Sequence, residues 1–169
     1  ALRLRIEAAR ISLLDDFNTL LCLEHLPRVE KLWYQIESVR KTLRHFNGRV
    51  LLADEVGLGK TIEAGMLIKE YLLRGLAEKV LIITPPSLVS QWREEMAVKF
   101  GLECAVARPR SPASFWLDEP RIITSINTAK SAKRFAEVVA PFYDLVVVDE
   151  AHHLKNRASL NWKLVNALQ

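Results

Sequence analysis

The pattern of apolar and polar positions changes character near residue 49. Before it, apolar residues recur at helical spacing. Leu2, Ile6, Ala9, Leu13, Leu14, Phe17 and Leu21 make one stripe, and Leu32, Ile36, Val39 and Leu43 make another, with Pro27 between them and Asn47-Gly48 as a stop. After it, short runs that are apolar along their whole length fall at residues 50–53, 79–84, 121–125 and 144–149, with a weaker run at 103–107. Strands of this kind are buried on both faces of a parallel sheet. Helical patterns at 60–74, 88–100, 130–139 and 158–168 fill the intervals. Gly75 and Gly101 stand where helix C-caps are expected, and Glu95–Lys99 is a favourable i,i+4 pair. Residues 108–120, with three prolines, read as a surface loop in which Phe115 and Trp116 form a small anchor or pack at the sheet edge. The alternation predicts a layered α/β fold with helices on both faces, behind an N-terminal helical appendage.

The junction between the first strand run and the first helix of that series carries chemistry. It reads Asp54-Glu55-Val56-Gly57-Leu58-Gly59-Lys60-Thr61. Strand, glycine loop, Lys-Thr and helix come in the order of a phosphate-binding P-loop. Phosphate oxygens need several backbone N–H groups converging on one point, and Gly57 and Gly59 keep that backbone bare. A helix starting near Lys60 turns its free N–H groups and positive dipole end to the phosphates. Lys60 then reaches the β- and γ-phosphates, and the Thr61 hydroxyl sits on Mg²⁺. One position departs from the general pattern: Asp54 takes the slot of its first glycine. An ordinary strand-to-helix turn is the alternative reading of the loop taken alone.

Residues 144–149 supply the second half of such a site. The run ends in adjacent carboxylates, Asp149 and Glu150, followed by Ala151, His152 and His153. Strand C-terminal ends line the ligand crevice of a doubly wound sheet. There one carboxylate, Asp149, holds the hydrated Mg²⁺, and the other, Glu150, polarises the attacking water. His152 taken alone reads as a surface or packing histidine; following Asp-Glu-Ala it is a candidate coupler between the nucleotide and a neighbouring surface.

Composition narrows the class without deciding it. The chain has 169 residues, half of them hydrophobic and a quarter charged, which suits a globular core rather than disorder. A formal net charge of +4 permits a nucleic-acid partner but does not demand one. Cys22 and Cys104 lack metal-site spacing and read as buried thiols. No apolar run approaches the roughly 20 residues of a membrane span, and a cytoplasmic protein is the default expectation.

The two motifs together, Asp54 to Gly65 and Asp149-Glu150-Ala151-His152-His153-Leu154-Lys155-Asn156, resemble motifs I and II of the SWI/SNF-type ATPases, double-stranded-DNA translocases within helicase superfamily two. Asp at the first P-loop slot is the habit of that family. Val56 and the Ile62-Glu63-Ala64-Gly65 continuation look more like its bacterial and archaeal branch, which includes the RNA-polymerase-associated recycling factor. Residues 81–92, through Thr84-Pro85-Pro86-Ser87, resemble motif Ia, and Ile122-Ile123-Thr124-Ser125 resemble motif Ib. Leu32-Trp33-Tyr34-Gln35 resembles the motif whose glutamine reads the adenine edge, departing from it at Trp33, where a proline is usual. The resemblance covers about residues 30–157.

It implies a RecA-like parallel sheet over residues 47–169, with residues 1–46 as a helical segment carrying Gln35. It implies ATP and Mg²⁺ as cofactors. Pro85, Ser87, Thr124 and Ser125 would contact the phosphates of one nucleic-acid strand without reading sequence. Lys130, Lys133 and Arg134 would add charge to that surface, whereas Trp92 is expected in the core beside Leu88. The implied partners are double-stranded DNA, a second RecA-like lobe of the same polypeptide, and a DNA-bound complex such as RNA polymerase. No Thr-Ala-Thr-like motif III follows Glu150, and its strand usually lies between the P-loop strand and the Asp-Glu strand. The chain is therefore expected to be part of a longer polypeptide and to turn over ATP very slowly alone. An RNA helicase of the same superfamily and a nucleotide-gated interaction module are the alternatives.

Overall fold

The computed structural model describes residues 17, 19–45, 50–53 and 59–168. Of the helix expected over residues 1–26, residues 1–16 and 18 lie outside the described residues, and its described end holds a 3₁₀ turn, Leu21–His25, in place of an α-helix; Asp54, Glu55, Val56, Gly57 and Leu58 of the P-loop also lie outside the described residues. The chain divides into two compact units, Ala1–Arg74 and Gly75–Gln169.

The first unit contains a 3₁₀ turn, Leu21–His25, and two helices, α1 (Trp33–His45) and α2 (Lys60–Leu73). α1 turns Gln35, Val39, Thr42 and Leu43 inward. α2 is buried over much of its circumference: Ala64, Met66, Leu67 and Ile68 are core, and Glu63 and Glu70 are buried with them. Glu70 is satisfied by a compact polar clasp. Its carboxylate accepts the backbone N–H groups of Leu21 (3.1 Å) and Cys22 (2.8 Å) and the Nε of Arg74 (2.7 Å). Arg74 in turn donates to the Thr19 carbonyl at 2.8 Å and lies over the Phe17 ring. One i,i+4 pair at the C-terminal end of α2, Glu70 with the C-cap residue Arg74, thus holds the segment that precedes α1. Burial, the Glu70 charge and its hydrogen bond together push the Cys22 thiol up to about 12.

The second unit is a parallel α/β sandwich. Its strands β1 (Val80–Thr84), β2 (Ala105–Val106), β3 (Arg121–Ser125) and β4 (Leu145–Val148) are ordered β2-β3-β1-β4, and every pairing is parallel. Alternation along the strands divides the sheet's two faces. Leu81, Ile83 and Ile122 point into a core with Ala107, Trp116, Ala129, Val138, Tyr143 and Leu164. Val80, Ile82, Thr84 and Ile123 point the other way, where α3 (Val89–Phe100) buries Trp92, Met96 and Phe100. Four helices serve the first face: α4 (Phe115–Asp118), α5 (Ile126–Ala129), α6 (Phe135–Val139) and α7 (Leu160–Ala167). The layered architecture expected from the sequence is therefore present, and Trp116, fully buried, is the anchor of the proline-rich loop. Gly101, at φ 61°, ends α3 in the left-handed conformation that only glycine adopts cheaply, its N–H bonded to Ala97. Asp144 joins the starts of β1 and β4 by accepting the N–H groups of Glu78 and Lys79, which hold its carboxyl below the usual range.

Two expected elements differ. Residues 50–53 form no strand; Val50 and Leu51 are 42% and 70% exposed, and the four strands among the described residues lie between Val80 and Val148. A four-residue apolar run has no strand character without a neighbour to pair with. The helix expected over 130–139 is confined to α6, Phe135–Val139; residues 130–134 are turn, and a separate short helix, α5, lies before them. Ser125 caps α5 by accepting the Thr128 N–H at 3.1 Å, starting it inside what read as a strand exit. Ser131 donates to the Thr128 carbonyl, and a turn separates it from α6. No described helix is long and apolar enough to cross a membrane.

Candidate functional site

In the first unit, α2 begins at Lys60, and Gly59 precedes it at φ 85°, in the left-handed region. Ile62 and Glu63 donate back to the Gly59 carbonyl at 2.7 and 3.2 Å, so the helix's hydrogen-bonded ladder starts on that glycine. A Cβ at Gly59 would overlap the side-chain amide of Gln35. Gln35 is 3% exposed on α1 and is packed against the glycine that introduces Lys60 and Thr61. Two residues that stand 24 positions apart in sequence therefore meet. Lys60 and Thr61 occupy the first two helical positions, where side chains and backbone N–H groups gather beside an incoming anion.

In the second unit, the C-terminal end of β4 is the organising point. The Asp149 N–H extends the ladder by one bond to the Ile83 carbonyl, at 2.8 Å. That register places the Asp149 side chain on the α3 face of the sheet. Its Oδ2 accepts two hydrogen bonds, from Trp92 Nε1 at 2.8 Å and Thr84 Oγ1 at 3.2 Å. Its Oδ1 accepts the Glu150 N–H at 2.8 Å. Three donors fix the carboxylate's plane. They fill Oδ2 and leave acceptor capacity on Oδ1.

Glu150 follows at φ 54°, ψ 48°, the sole non-glycine residue with positive φ among the described residues. For an L-residue that conformation costs about 1–2 kcal/mol and is tolerated where the surroundings impose it. It turns the Glu150 carboxylate out of the strand line to meet His152 Nδ1 at 2.9 Å, and the His152 ring lies 4.1 Å from that of His153. The proposed base and the proposed coupler are thus in direct contact. Pro85, Ile126, Val148, Asp149, Glu150 and His153 line one shallow cleft at this end of the sheet.

The remaining candidates are distributed unevenly. Ser87 is exposed and Pro85 half-buried, both on the turn between β1 and α3. Thr124 is fully buried, and the Ser125 hydroxyl is committed to the α5 cap, so neither offers a free surface hydroxyl. Lys130 is held by Asn161 and Arg134 by Glu137 and the Pro109 carbonyl, which leaves Lys133 as the solvated member of that cluster. Thr84 and Trp92 are the partners of Asp149 that sequence reasoning missed. The available signal was chemical: a buried indole N–H needs an acceptor, and Trp92 lies on the first turn of a helix leaving the adjacent strand.

A magnesium ion fits this chemistry. Among the described residues no group of three or more His, Cys, Asp or Glu side chains forms a cage. Mg²⁺ keeps several waters and takes one or two protein oxygens alongside substrate phosphates, and the free capacity of Asp149 Oδ1 matches that demand.

Comparison with known proteins agrees with the fold and the motifs. The residue pattern of the SNF2-related domain matches residues 34–169. The uncharacterized ATP-dependent helicase YqhH of Bacillus subtilis (strain 168) is 42% identical over 166 residues, which are 98% of this chain and 29% of that protein. The Sulfolobus solfataricus SWI2/SNF2 ATPase core, solved in complex with dsDNA, superposes with a TM-score of 0.75 at 23% identity, over 86% of this chain and 31% of that one. The chain spans under a third of either relative's length. With a parallel sheet ending in Asp149-Glu150, a helix opening on Gly59-Lys60-Thr61 and a family pattern over four-fifths of its length, this chain belongs to the SNF2-related domain family.

Proposed function

We propose that this chain is the first ATP-binding lobe of an ATP-driven double-stranded-DNA translocase, with residues 1–46 as a helical segment and 47–169 as the RecA-like lobe. The single observation that carries the reading is the acidic strand end. Asp149 is clamped by three donors, and Glu150 is turned outward by a strained backbone at the tip of a parallel strand. Such strain collects at functional sites.

In this reading Asp54, Glu55, Val56, Gly57, Leu58 and Gly59 form the phosphate loop, Lys60 neutralises the β- and γ-phosphates, and Gln35 recognises the adenine edge. As the family resemblance implies, Thr61 and Asp149 would hold Mg²⁺, which would supply positive charge for the transferred phosphoryl group. Glu150 takes the proton of the attacking water, and His152 relays that event to a neighbouring surface. Pro85 and Ser87 face the nucleic-acid backbone, while Thr124 and Ser125 shape the second contact loop from beneath. The relative solved with dsDNA supports DNA as partner. A second lobe supplies the positive group that stabilises charge on the γ-phosphate, so this lobe alone turns over slowly.

Phosphate release by the longer protein, measured with duplex DNA, single strands and RNA, tests the reading. Stimulation by duplex DNA above the others is expected. Stimulation by RNA alone would replace it with an RNA helicase, and no turnover under any condition would remove the enzyme assignment. Robust DNA-stimulated turnover by residues 1–169 alone would overturn the need for a second lobe.

A further inference from the structure

The two side chains that hold Asp149 Oδ2 flank the loop proposed to meet nucleic acid. Thr84 is the last residue of β1, and Trp92 is on the first turn of α3; between them run Pro85, Pro86 and Ser87. Thr84 is 1% and Trp92 4% exposed, so neither touches nucleic acid directly. Both nevertheless donate to the same carboxylate oxygen, at 3.2 and 2.8 Å. A loop anchored at both ends to one atom cannot shift without moving that atom or breaking one of the two bonds.

We propose that Thr84 and Trp92 are positioning residues that couple nucleic-acid contact at residues 85–88 to the orientation of the Asp149 carboxylate, and so to the acidic strand end. The inference rests on the translocase reading, because it takes residues 85–88 as the contact loop. The coupling path is short and physical. A phosphate seated on Ser87 biases the turn Pro86–Leu88, the turn carries α3's first residues, and the Trp92 indole carries Asp149. The Leu88 N–H bonded to the Pro85 carbonyl at 3.0 Å makes the turn a closed unit rather than a slack linker. Trp92 therefore has two roles. Its ring fills the core under α3 as the sequence pattern predicts, and its N–H is spent on a carboxylate at the candidate active site.

Substitutions that keep volume and remove a donor separate these roles. In the full-length protein, Trp92→Phe keeps an aromatic ring and Thr84→Val keeps the shape of the threonine, while Thr84→Ser restores the hydroxyl. The ratio of ATP turnover with saturating duplex DNA to turnover without it is expected to fall roughly tenfold in Trp92→Phe and Thr84→Val, the loss of one charge-assisted hydrogen bond. Thr84→Ser is expected to recover most of it. Duplex affinity, read by fluorescence anisotropy without nucleotide, should stay within about twofold of the unaltered protein, since a charge-neutral change at a buried side chain removes no ionic contact. A second readout needs no turnover. The Trp92 indole N–H resonance, identified by its loss in Trp92→Phe, should shift when duplex DNA is added without nucleotide.

An unchanged stimulation ratio in both folded variants, or an indole resonance that ignores DNA, would overturn the coupling while leaving the translocase reading intact. If the unaltered protein neither binds duplex DNA nor is stimulated by it, the translocase reading fails and the coupling fails with it. Should Trp92→Phe not fold, Thr84→Val and its serine rescue decide the matter.

Discussion

Glu70→Ala is the perturbation for which the structure supplies the fullest arithmetic. Glu70 and Arg74 are 0% and 2% exposed at the side chain and meet at 2.7 Å. Removing the carboxylate takes the anionic partner from a buried guanidinium that also donates to the Thr19 carbonyl and lies over the Phe17 ring. Breaking a buried ion pair from one side costs about 3–5 kcal/mol. The Leu21 and Cys22 N–H groups also lose their acceptor, at about 1–3 kcal/mol each if they stay buried. Those costs do not add in full, because the 19–25 segment can lift away and rehydrate them. Release of that segment is therefore expected, with the net loss near 3–5 kcal/mol. Amide hydrogen exchange followed by mass spectrometry reads it directly: protection of residues 20–23 and of α2 should fall by roughly two to four decades. Glu70→Gln, which keeps an acceptor, should lose less. Protection within about threefold of the unaltered chain would refute the claim that this clasp holds the segment to the helix that opens at Lys60.

Gly59→Ala places a side chain at φ 85° and into the Gln35 amide, so it should cost about 1–2 kcal/mol in backbone strain and weaken nucleotide binding; an unchanged melting temperature and nucleotide affinity would contradict the geometry. Burial is the main cause that raises the Cys22 and Cys104 thiols to about 12 and about 11, above their ordinary value of 9.0. Because the folded values are raised, this stabilisation is whole below about pH 9 and is lost as pH climbs toward 11 and 12, so alkaline unfolding should steepen there. At pH 8 both thiols should react with a thiol reagent at least about a hundredfold more slowly in the folded than in the unfolded chain, and equal rates would count against their burial. In the full-length protein Lys60→Ala and Glu150→Gln should each abolish turnover, with Glu150→Gln retaining ATP binding by equilibrium dialysis; loss of binding there would remove Glu150 from the base role.

What could be read from the sequence follows from what generates each feature. β3 is Arg121–Ser125 as expected, and α2 and α3 lie within a residue or so of their patterns, because periodicity, glycine caps and burial all point the same way there. The run at 50–53 has the same apolar look but no strand, since strand formation depends on a partner that composition does not reveal. The pattern at 130–139 holds a helix only over 135–139, because Ser125 starts a separate short helix at 126–129 and the chain turns at 130–134, where Ser131 bonds back to the Thr128 carbonyl. At the acidic strand end the residue types Asp149 and Glu150 were legible, whereas the left-handed turn of Glu150 and the Trp92 and Thr84 bonds were not. Those depend on the register of β1 against β4 and on where α3 settles. Glu70 and Arg74 illustrate the same limit. An i,i+4 acid–base pair usually lies on a solvated face, whereas this one is buried and contacts Phe17, Thr19, Leu21 and Cys22.

The most direct test of the translocase assignment is displacement of a triplex-forming strand from duplex DNA by the full-length protein. ATP-dependent displacement, abolished by Lys60→Ala, is the predicted result. DNA-stimulated ATP hydrolysis with the triplex left in place would contradict it, because the lobe would then spend nucleotide on duplex DNA without moving along it.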